Sequence, residues 1–315
     1  MTKSLISYVF PVFNEAGNID RLYSTICETI TTRVDEYDFE LIFINDGSRD
    51  GSLDRLLALQ SADPRVSVID FSRNFGHQLA VTAGLDHAHG DAIIIMDSDL
   101  QDPPTVSLEL IDKWRSGYDV VYAQRRTRKD GAFKRLTANI FYRLLSRLSD
   151  IDIPRNTGDF RLIDRKVVDQ LKRFHEHDRF LRGLISYVGF RQTAVLFDRD
   201  ERHAGETGYP LAKMIKFALD GIFGFSSAPL KLITRVGYFI SGLSFAGIIY
   251  ALYVRFLMPD QAVSGWTFTV IAILFIGGVQ LIMLGILGGY IGRIYTESQG
   301  RPLYIIDRIY ETTNK

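Results

Sequence analysis

Two stretches near the C-terminal end, VGYFISGLSFAGIIYALYVRFL from Val236 and FTVIAILFIGGVQLIMLGILGGYIG from Phe268, are almost free of charge. Each is roughly 20 residues of mostly apolar chain, the length a helix needs to cross the hydrocarbon of a bilayer. A soluble helix of that length ordinarily carries a charged face, so residues 236–292 are expected to form two transmembrane helices. Their linker, MPDQAVSGW, has no Lys or Arg, whereas Lys213, Lys216, Lys231, Arg235, Arg293 and Arg301 flank the outer ends. Excess positive charge marks the cytoplasmic side, which predicts both termini there and an integral inner or plasma membrane location. Gly285 with Gly289 and Gly288 with Gly292 stand at small-xxx-small spacing. They suit close packing of the two spans, or a homo-oligomer such as a tetramer.

The remainder has a different composition. LAKMIKFALDGIFGFSSAPLKLITR sets apolar residues at helical spacing among basic ones. Alone it fits an amphipathic surface helix; beside membrane spans it fits helices lying in the headgroup interface. Before Tyr209, short apolar runs alternate with amphipathic segments, and strands are expected at Leu5 to Phe10, Glu40 to Ile44, Val66 to Phe71, Asp91 to Met96 and Asp119 to Ala123. Such alternation is an α/β pattern with a mainly parallel sheet covered by helices, a Rossmann-like nucleotide-binding arrangement. The expected organisation is a cytoplasmic catalytic domain at 1–208, interfacial helices at 209–235, two membrane helices at 236–292 and a cytoplasmic tail at 293–315.

Charge and cysteine usage narrow the class. Lys plus Arg and Asp plus Glu are both 37, so no net field argues for nucleic acid. A single cysteine, Cys27, rules out an internal disulfide and suits a reducing compartment. The opening MTKSLISYVFPVFNE lacks a cleavable signal. There is no G-x-x-x-x-G-K-[ST] loop and no G-x-G-x-x-G after the first strand, which disfavours ATP and NAD chemistry. The six histidines have no metal-binding spacing and are expected on the surface or in loops.

The chemistry concentrates where strands end. In IIIMDSDLQDPP an apolar run leads into Asp97, Asp99 and Asp102. Hard cations such as Mg²⁺ or Mn²⁺ take one or two carboxylates and complete their shell with substrate phosphates, a partial site that Asp97 and Asp99 can supply. Asp102 before two prolines reads as a helix N-cap. Asp46 ends another expected strand, in FINDGSRDGS, and ligands of such sheets bind beyond the carboxyl ends of the strands.

YVFPVFNE, INDGSRDG, MDSDLQDPP, NTGDFRLIDR and ERHAGETGYP, in that order, resemble family 2 glycosyltransferases of the dolichyl- and polyprenyl-phosphate sugar synthase type. With two apolar spans behind them, the likeness is to the bacterial polyprenyl-phosphate glucosyltransferases. The resemblance implies a GT-A fold whose D-x-D motif holds Mg²⁺ or Mn²⁺ on the diphosphate of a sugar nucleotide. It assigns Asp97, Asp99 and Gln101 to the metal, and Pro11, Phe13, Glu15, Asp46, Arg73, Gly76 and Asp97 to the nucleotide sugar. Asp159 takes the position of the base, with orientation of the acceptor or tuning of the metal as its other roles, and Arg202 would neutralise the leaving diphosphate from a loop. Thr207 and Gly208 stand where many members have Ser-Lys, so a second loop cation is missing.

The acceptor implied is a polyprenyl phosphate at the bilayer surface. Arg125, Lys134 and Arg135 are chosen for its phosphate, with Arg161 either a further ligand or the partner of Asp159. A lipid phosphate is largely ionised at neutral pH, so strong base catalysis is less necessary than for a hydroxyl. The expected reaction is one inverting displacement of a hexose, glucose from UDP-glucose first, with UDP-galactose, UDP-N-acetylglucosamine and GDP-mannose behind it, toward a cell envelope glycan. A processive polysaccharide synthase would carry Q-x-x-R-W and more spans, and an inactive membrane scaffold would not need the acidic set.

Overall fold

The computed structural model describes residues 3–126, 157–177, 179–198, 228–257 and 265–311. The chain divides into two units: one holds the sheet described below, formed by the N-terminal segments and the C-terminal one, and the other holds two long helices.

The sheet has eight strands in the order β7-β5-β6-β4-β1-β2-β3-β8. These are β1 (Ser4–Val12), β2 (Tyr37–Asn45), β3 (Val66–Phe71), β4 (Ala92–Ile95), β5 (Val120–Arg125), β6 (Thr157–Asp164), β7 (Gln192–Phe197) and β8 (Ile306–Tyr310). The four strands β1 to β4 run parallel, and β5 and β7 are parallel to each other. Only β6 and β8 run against their neighbours. The mainly parallel α/β architecture expected from the alternation is therefore present. All five expected strands are found: β1 and β2 are longer at both ends, β3 matches, β4 is one residue shorter at each end, and β5 starts one residue later and runs on to Arg125; β6, β7 and β8 were not legible.

Burial explains why the central strands form. In β1, residues from Ile6 to Val12 are all buried, as they must be in a strand covered on both faces. Helix α1 (Ile19–Thr31) buries Ile19, Leu22, Ile26 and Ile30, one stripe at helical spacing. Around the sheet run α2 (Ser52–Ala62), α3 (His77–His87), α4 (Val106–Arg115), α5 (Arg165–Leu171) and α6 (Leu181–Tyr187). Gly84 lets α3 lie close on the sheet, because a Cβ there would overlap Val9 Cγ1 and reach 2.9 Å from Ile44 Cδ1. That approach puts the first residue of α3 beside the carboxyl end of β4.

The second unit contains α7 (Ala228–Leu257) and α8 (Trp266–Ser298). By length and composition Phe275–Ser298 is long and apolar enough to cross a membrane, and none of it is buried. Tyr238, Phe239 and Tyr250 on α7 are each at least 70% exposed. The boundaries differ from those read in the sequence: α7 starts inside the segment expected to be interfacial, and α8 runs on to Ser298. The tail is not a loose end, since Ile306–Tyr310 forms β8.

Candidate active site

Three strand ends meet at the site. After β1 the chain turns through Asn14, a non-glycine residue at φ +56°. That left-handed turn is held from the next loop: Asn14 N–H donates to Ser48 Oγ (3.0 Å), and Arg49 N–H donates to Asn14 Oδ1 (2.9 Å). Glu15 N–H donates to Ser52 Oγ, and the Glu15 carboxylate accepts from Asn18. Phe13, 48% exposed, is left facing outward while Pro11 remains buried in the strand.

Asp46, just after β2, is almost fully hydrogen-bonded within the protein. Oδ1 accepts from Phe75 N–H (2.6 Å); Oδ2 accepts from Gly76 N–H (2.9 Å) and Asn74 Nδ2 (3.0 Å). Burial raises its pKa, and the backbone donors offset part of that rise. Its visible work is to fold the 73–76 loop. Arg73 does not form an ion pair with Asp46; its guanidinium donates to Asn74 O (3.1 Å) and lies 4.0 Å over the Phe75 ring. A cleft of about 650 Å³ opens here, lined among others by Phe13, Asn14, Gly47, Arg49, Asp70 and Arg73. Of the residues expected at the nucleotide, Phe13 and Arg73 line this cleft, while Asp46 accepts from Gly76 N–H and from Asn74, which also lines it.

Beyond β4 the D-x-D segment turns at Leu100, the other described non-glycine residue with positive φ (+57°). Residues in that region cost of order 1–3 kcal/mol unless their surroundings impose it, and they cluster at functional sites. Ser98 Oγ donates to Pro11 O (2.7 Å), tying the segment to β1, and Gln101 N–H donates to Asp99 Oδ1 (3.1 Å). Asp97 Oδ1 is buried and has no hydrogen-bond partner. Burial pushes the Asp97 pKa up to about 6; His77 works against that, and Asp159, Asp102 and Asp99 add to it. Asp102 is not adjacent to a helix start, because α4 begins at Val106 after Thr105. It is 2% exposed, with Oδ1 3.9 Å from Arg125 Nη2, a contact that lines up with Gly158, where a Cβ would lie 3.5 Å from Arg125.

Asp159, on β6, is the hub. Arg182 Nε, on α6, donates to its Oδ1 (2.8 Å), while His77 Nε2 (3.1 Å) and Gln78 Nε2 (3.4 Å) meet Oδ2. Burial acts to raise the Asp159 pKa, but the Arg182 charge and the His77 hydrogen bond outweigh it and hold the carboxyl well below the usual range. His77 also lies 3.6 Å from Asp97 Oδ1. Burial would depress the His77 pKa; the Asp159 hydrogen bond and the Asp97 charge raise it instead. The chain Arg182–Asp159–His77–Asp97 thus alternates basic and acidic side chains from α6, β6, α3 and the segment after β4.

Arg161 is not the partner of the Asp159 carboxylate. It is 5% exposed and donates to the main-chain oxygens of Gly158 (2.8 Å) and Asp159 (3.3 Å), and burial lowers its pKa to about 10. Lys134, Arg135 and Arg202 lie outside the described residues. His77, Gln78 and Arg182 escaped the sequence reading. The signal for the first two was their place in SRNFGHQ, the segment that follows an expected strand; nothing local marks Arg182.

Among the described residues no three His, Cys, Asp or Glu side chains form a self-sufficient metal cage. The donor set does fit a hard cation that shares its shell with a ligand: Asp97 offers a buried oxygen that makes no hydrogen bond, with the His77 ring 3.6 Å away, and Asp99 stands two residues on.

The profile of glycosyl transferase family 2 matches residues 7–172. An uncharacterized glycosyltransferase of Bacillus subtilis, YkcC, is 51% identical over 98% of this chain and 95% of its own length. The uncharacterized glycosyltransferase sll0501 of Synechocystis sp. is 45% identical, covering 97% of this chain and 95% of the relative. The bactoprenol glucosyl transferase of Shigella phage SfV is 44% identical, with 96% and 97% covered.

Proposed function

For this chain, which belongs to glycosyl transferase family 2 and is a glycosyltransferase, we propose transfer of a hexose, glucose from UDP-glucose, to a polyprenyl phosphate at the cytoplasmic face of the membrane. The observation that carries the reading is the buried Asp97 oxygen left without a hydrogen bond, within the field of Asp99, Asp102 and Asp159. The near full-length likeness to a bactoprenol glucosyl transferase supports the acceptor and the sugar.

In this reading Phe13 offers a face for the base and Arg73 a cation near the phosphates. Asp97 and Asp99, with Gln101 close by, would hold Mg²⁺ or Mn²⁺, which supplies neutralisation of the diphosphate charge. An acceptor phosphate oxygen attacks the anomeric carbon, the bond to the nucleoside diphosphate breaks, and configuration inverts. The nucleophile arrives ionised. Asp159, locked as a carboxylate by Arg182 and His77, therefore serves to orient these cations rather than to take a proton. Arg125 beside Gly158 remains the described candidate for the acceptor phosphate, with Lys134, Arg135 and Arg202 proposed to join from outside the described residues.

Topology supports a membrane hairpin. β8, which follows α8, pairs with β3, which precedes α7, so both belong to one sheet on one side of any bilayer. A chain that crosses at Phe275–Ser298 must then cross once more before it, and α7 with its exposed aromatic residues is suited to that.

The test is incubation of membranes containing the protein with labelled UDP-glucose, UDP-galactose, UDP-N-acetylglucosamine or GDP-mannose and undecaprenyl phosphate. A lipid-linked sugar of inverted configuration is expected. Retained configuration, or no product from any donor, would overturn the proposal.

A further inference from the structure

The C-terminal strand contributes a residue to the same cleft. β8 runs antiparallel to β3, with Asp70 opposite Arg308 and Phe71 opposite Ile306. Neighbouring residues on β3 thus pair with residues two apart on β8, and Asp307 between them has no partner: it is the extra residue of a β-bulge. Bulges beside functional sites re-aim a side chain that regular pairing would send elsewhere. Asp307 is one of the residues lining the cleft that Phe13 and Arg73 also line.

The strand is well anchored for an edge strand. Tyr304 stacks on Phe71 with ring centroids 5.2 Å apart, and its hydroxyl donates to Asp86 Oδ2 on α3 (2.8 Å). Ser72 N–H donates to Ile305 O (3.1 Å), continuing the ladder past the bulge. Asp70 Oδ1 in turn accepts from Asn45 Nδ2 (2.7 Å) on β2, so this carboxylate is fixed from the sheet side. The pKa of Asp70 is raised, first by burial and also by the charge of Asp307, as two carboxylates in one cleft require.

The cleft therefore has polarity. Paired carboxylates repel phosphate and accept hydrogen bonds from neutral donors, while Arg49 and Arg73 line the same space with the opposite charge. A nucleotide satisfies both when its hydroxyl or ring N–H groups face the acids and its phosphates turn away from them.

We propose that Asp307, aimed by the bulge in β8, binds the hydroxyl or N–H donors of the nucleoside, so that the segment directly after α8 completes the sugar-nucleotide cleft. This rests on the glycosyltransferase reading above and adds the C-terminal strand to its donor site. Because β8 forms only from chain beyond α8, full donor affinity depends on that segment.

The experiment uses the full-length protein in detergent, with UDP, uridine and pyrophosphate as probes in calorimetric titrations. Asp307→Ala is expected to weaken UDP and uridine by roughly tenfold, the scale of one lost charge-assisted hydrogen bond, and to leave pyrophosphate unchanged. In turnover assays the donor KM should rise while kcat and the acceptor KM hold. Glu311→Gln, an exposed acid in the same tail, should change neither. Unaltered UDP affinity in Asp307→Ala, or equal weakening of UDP and pyrophosphate, overturns the proposal while leaving the glycosyltransferase reading intact. Failure of the unsubstituted protein to bind UDP, with GDP bound instead and weakened by Asp307→Ala, would change the donor and keep the strand's role. Failure to bind either nucleotide would overturn both.

Discussion

His77 Nε2 lies 3.1 Å from Asp159 Oδ2 and 3.6 Å from Asp97 Oδ1, so one imidazole at the start of α3 bridges the carboxylates of β6 and of the D-x-D segment. The Asp159 hydrogen bond and the Asp97 charge outweigh burial and raise its pKa, so the bridge favours the protonated ring. The sign follows from linkage: a base whose folded pKa is raised contributes stability that is fully present below its unfolded value, near 6.5, and lost as pH rises through the folded one. His77→Gln in chelator-treated protein should therefore lower Tm clearly at pH 6 and little at pH 9. A Tm difference that does not vary with pH would refute the bridge.

Asp97 has the opposite sign. Its pKa is raised to about 6, so ionisation costs stability above that pH and the cost fades as the group protonates below it. Asp97→Asn without divalent cation should raise Tm at pH 8, with a smaller gain at pH 5. The same variant should lose turnover by at least about 100-fold, as removal of a transition-state charge stabiliser does. Thermal scans at both pH values and a radiolabel transfer assay would check the two effects together.

Metal removal gives a separate readout. EDTA-washed membranes are expected to lose transfer, and Mg²⁺ or Mn²⁺ to restore it. Asp99→Asn should resist restoration at cation levels that saturate the unsubstituted enzyme. Full activity of Asp99→Asn would remove it from the ligand set.

Gly47 joins the two loops that shape the cleft. At φ +66°, a Cβ there would lie 2.5 Å from Asn74 N and 2.6 Å from Arg73 C, both backbone atoms that cannot rotate away. Gly47→Ala should cost about 1–3 kcal/mol and weaken nucleotide binding by displacing the 73–76 loop. Denaturant unfolding and UDP titration would measure both; unchanged values would mean the loops are free to part.

Both ends of the chain are expected on one side of the membrane. With Cys27→Ser as background, single cysteines placed at Lys3 and at Glu311 should react with an impermeant maleimide only after inverted vesicles are made from cells. Labelling of one site in intact cells and the other in inverted vesicles would exclude a paired crossing by α7 and α8.

Apolar patterning made much of this protein legible in advance. Strands β1 to β5 announce themselves because each is an apolar run between turn residues, and the acidic residues at their ends mark the site. β6 is different: TGDFRLID buries Asp159 and Arg161 in its interior, so charge hides a strand that pairs on both sides. β8 is an edge strand too polar to stand out.

What the sequence determined by itself is therefore the alternation that builds a mainly parallel sheet, the carboxylates at its open edge, and the apolar length of the C-terminal helices. These depend on residues near one another in the chain. Only the tertiary structure decided that Arg182 rather than Arg161 grips Asp159, that Asp46 braces a loop, and that Asp307 turns into the cleft. Each of those outcomes is a pairing between segments distant in sequence, settled by strand register and by which side chain wins a buried partner, and no local pattern encodes that competition.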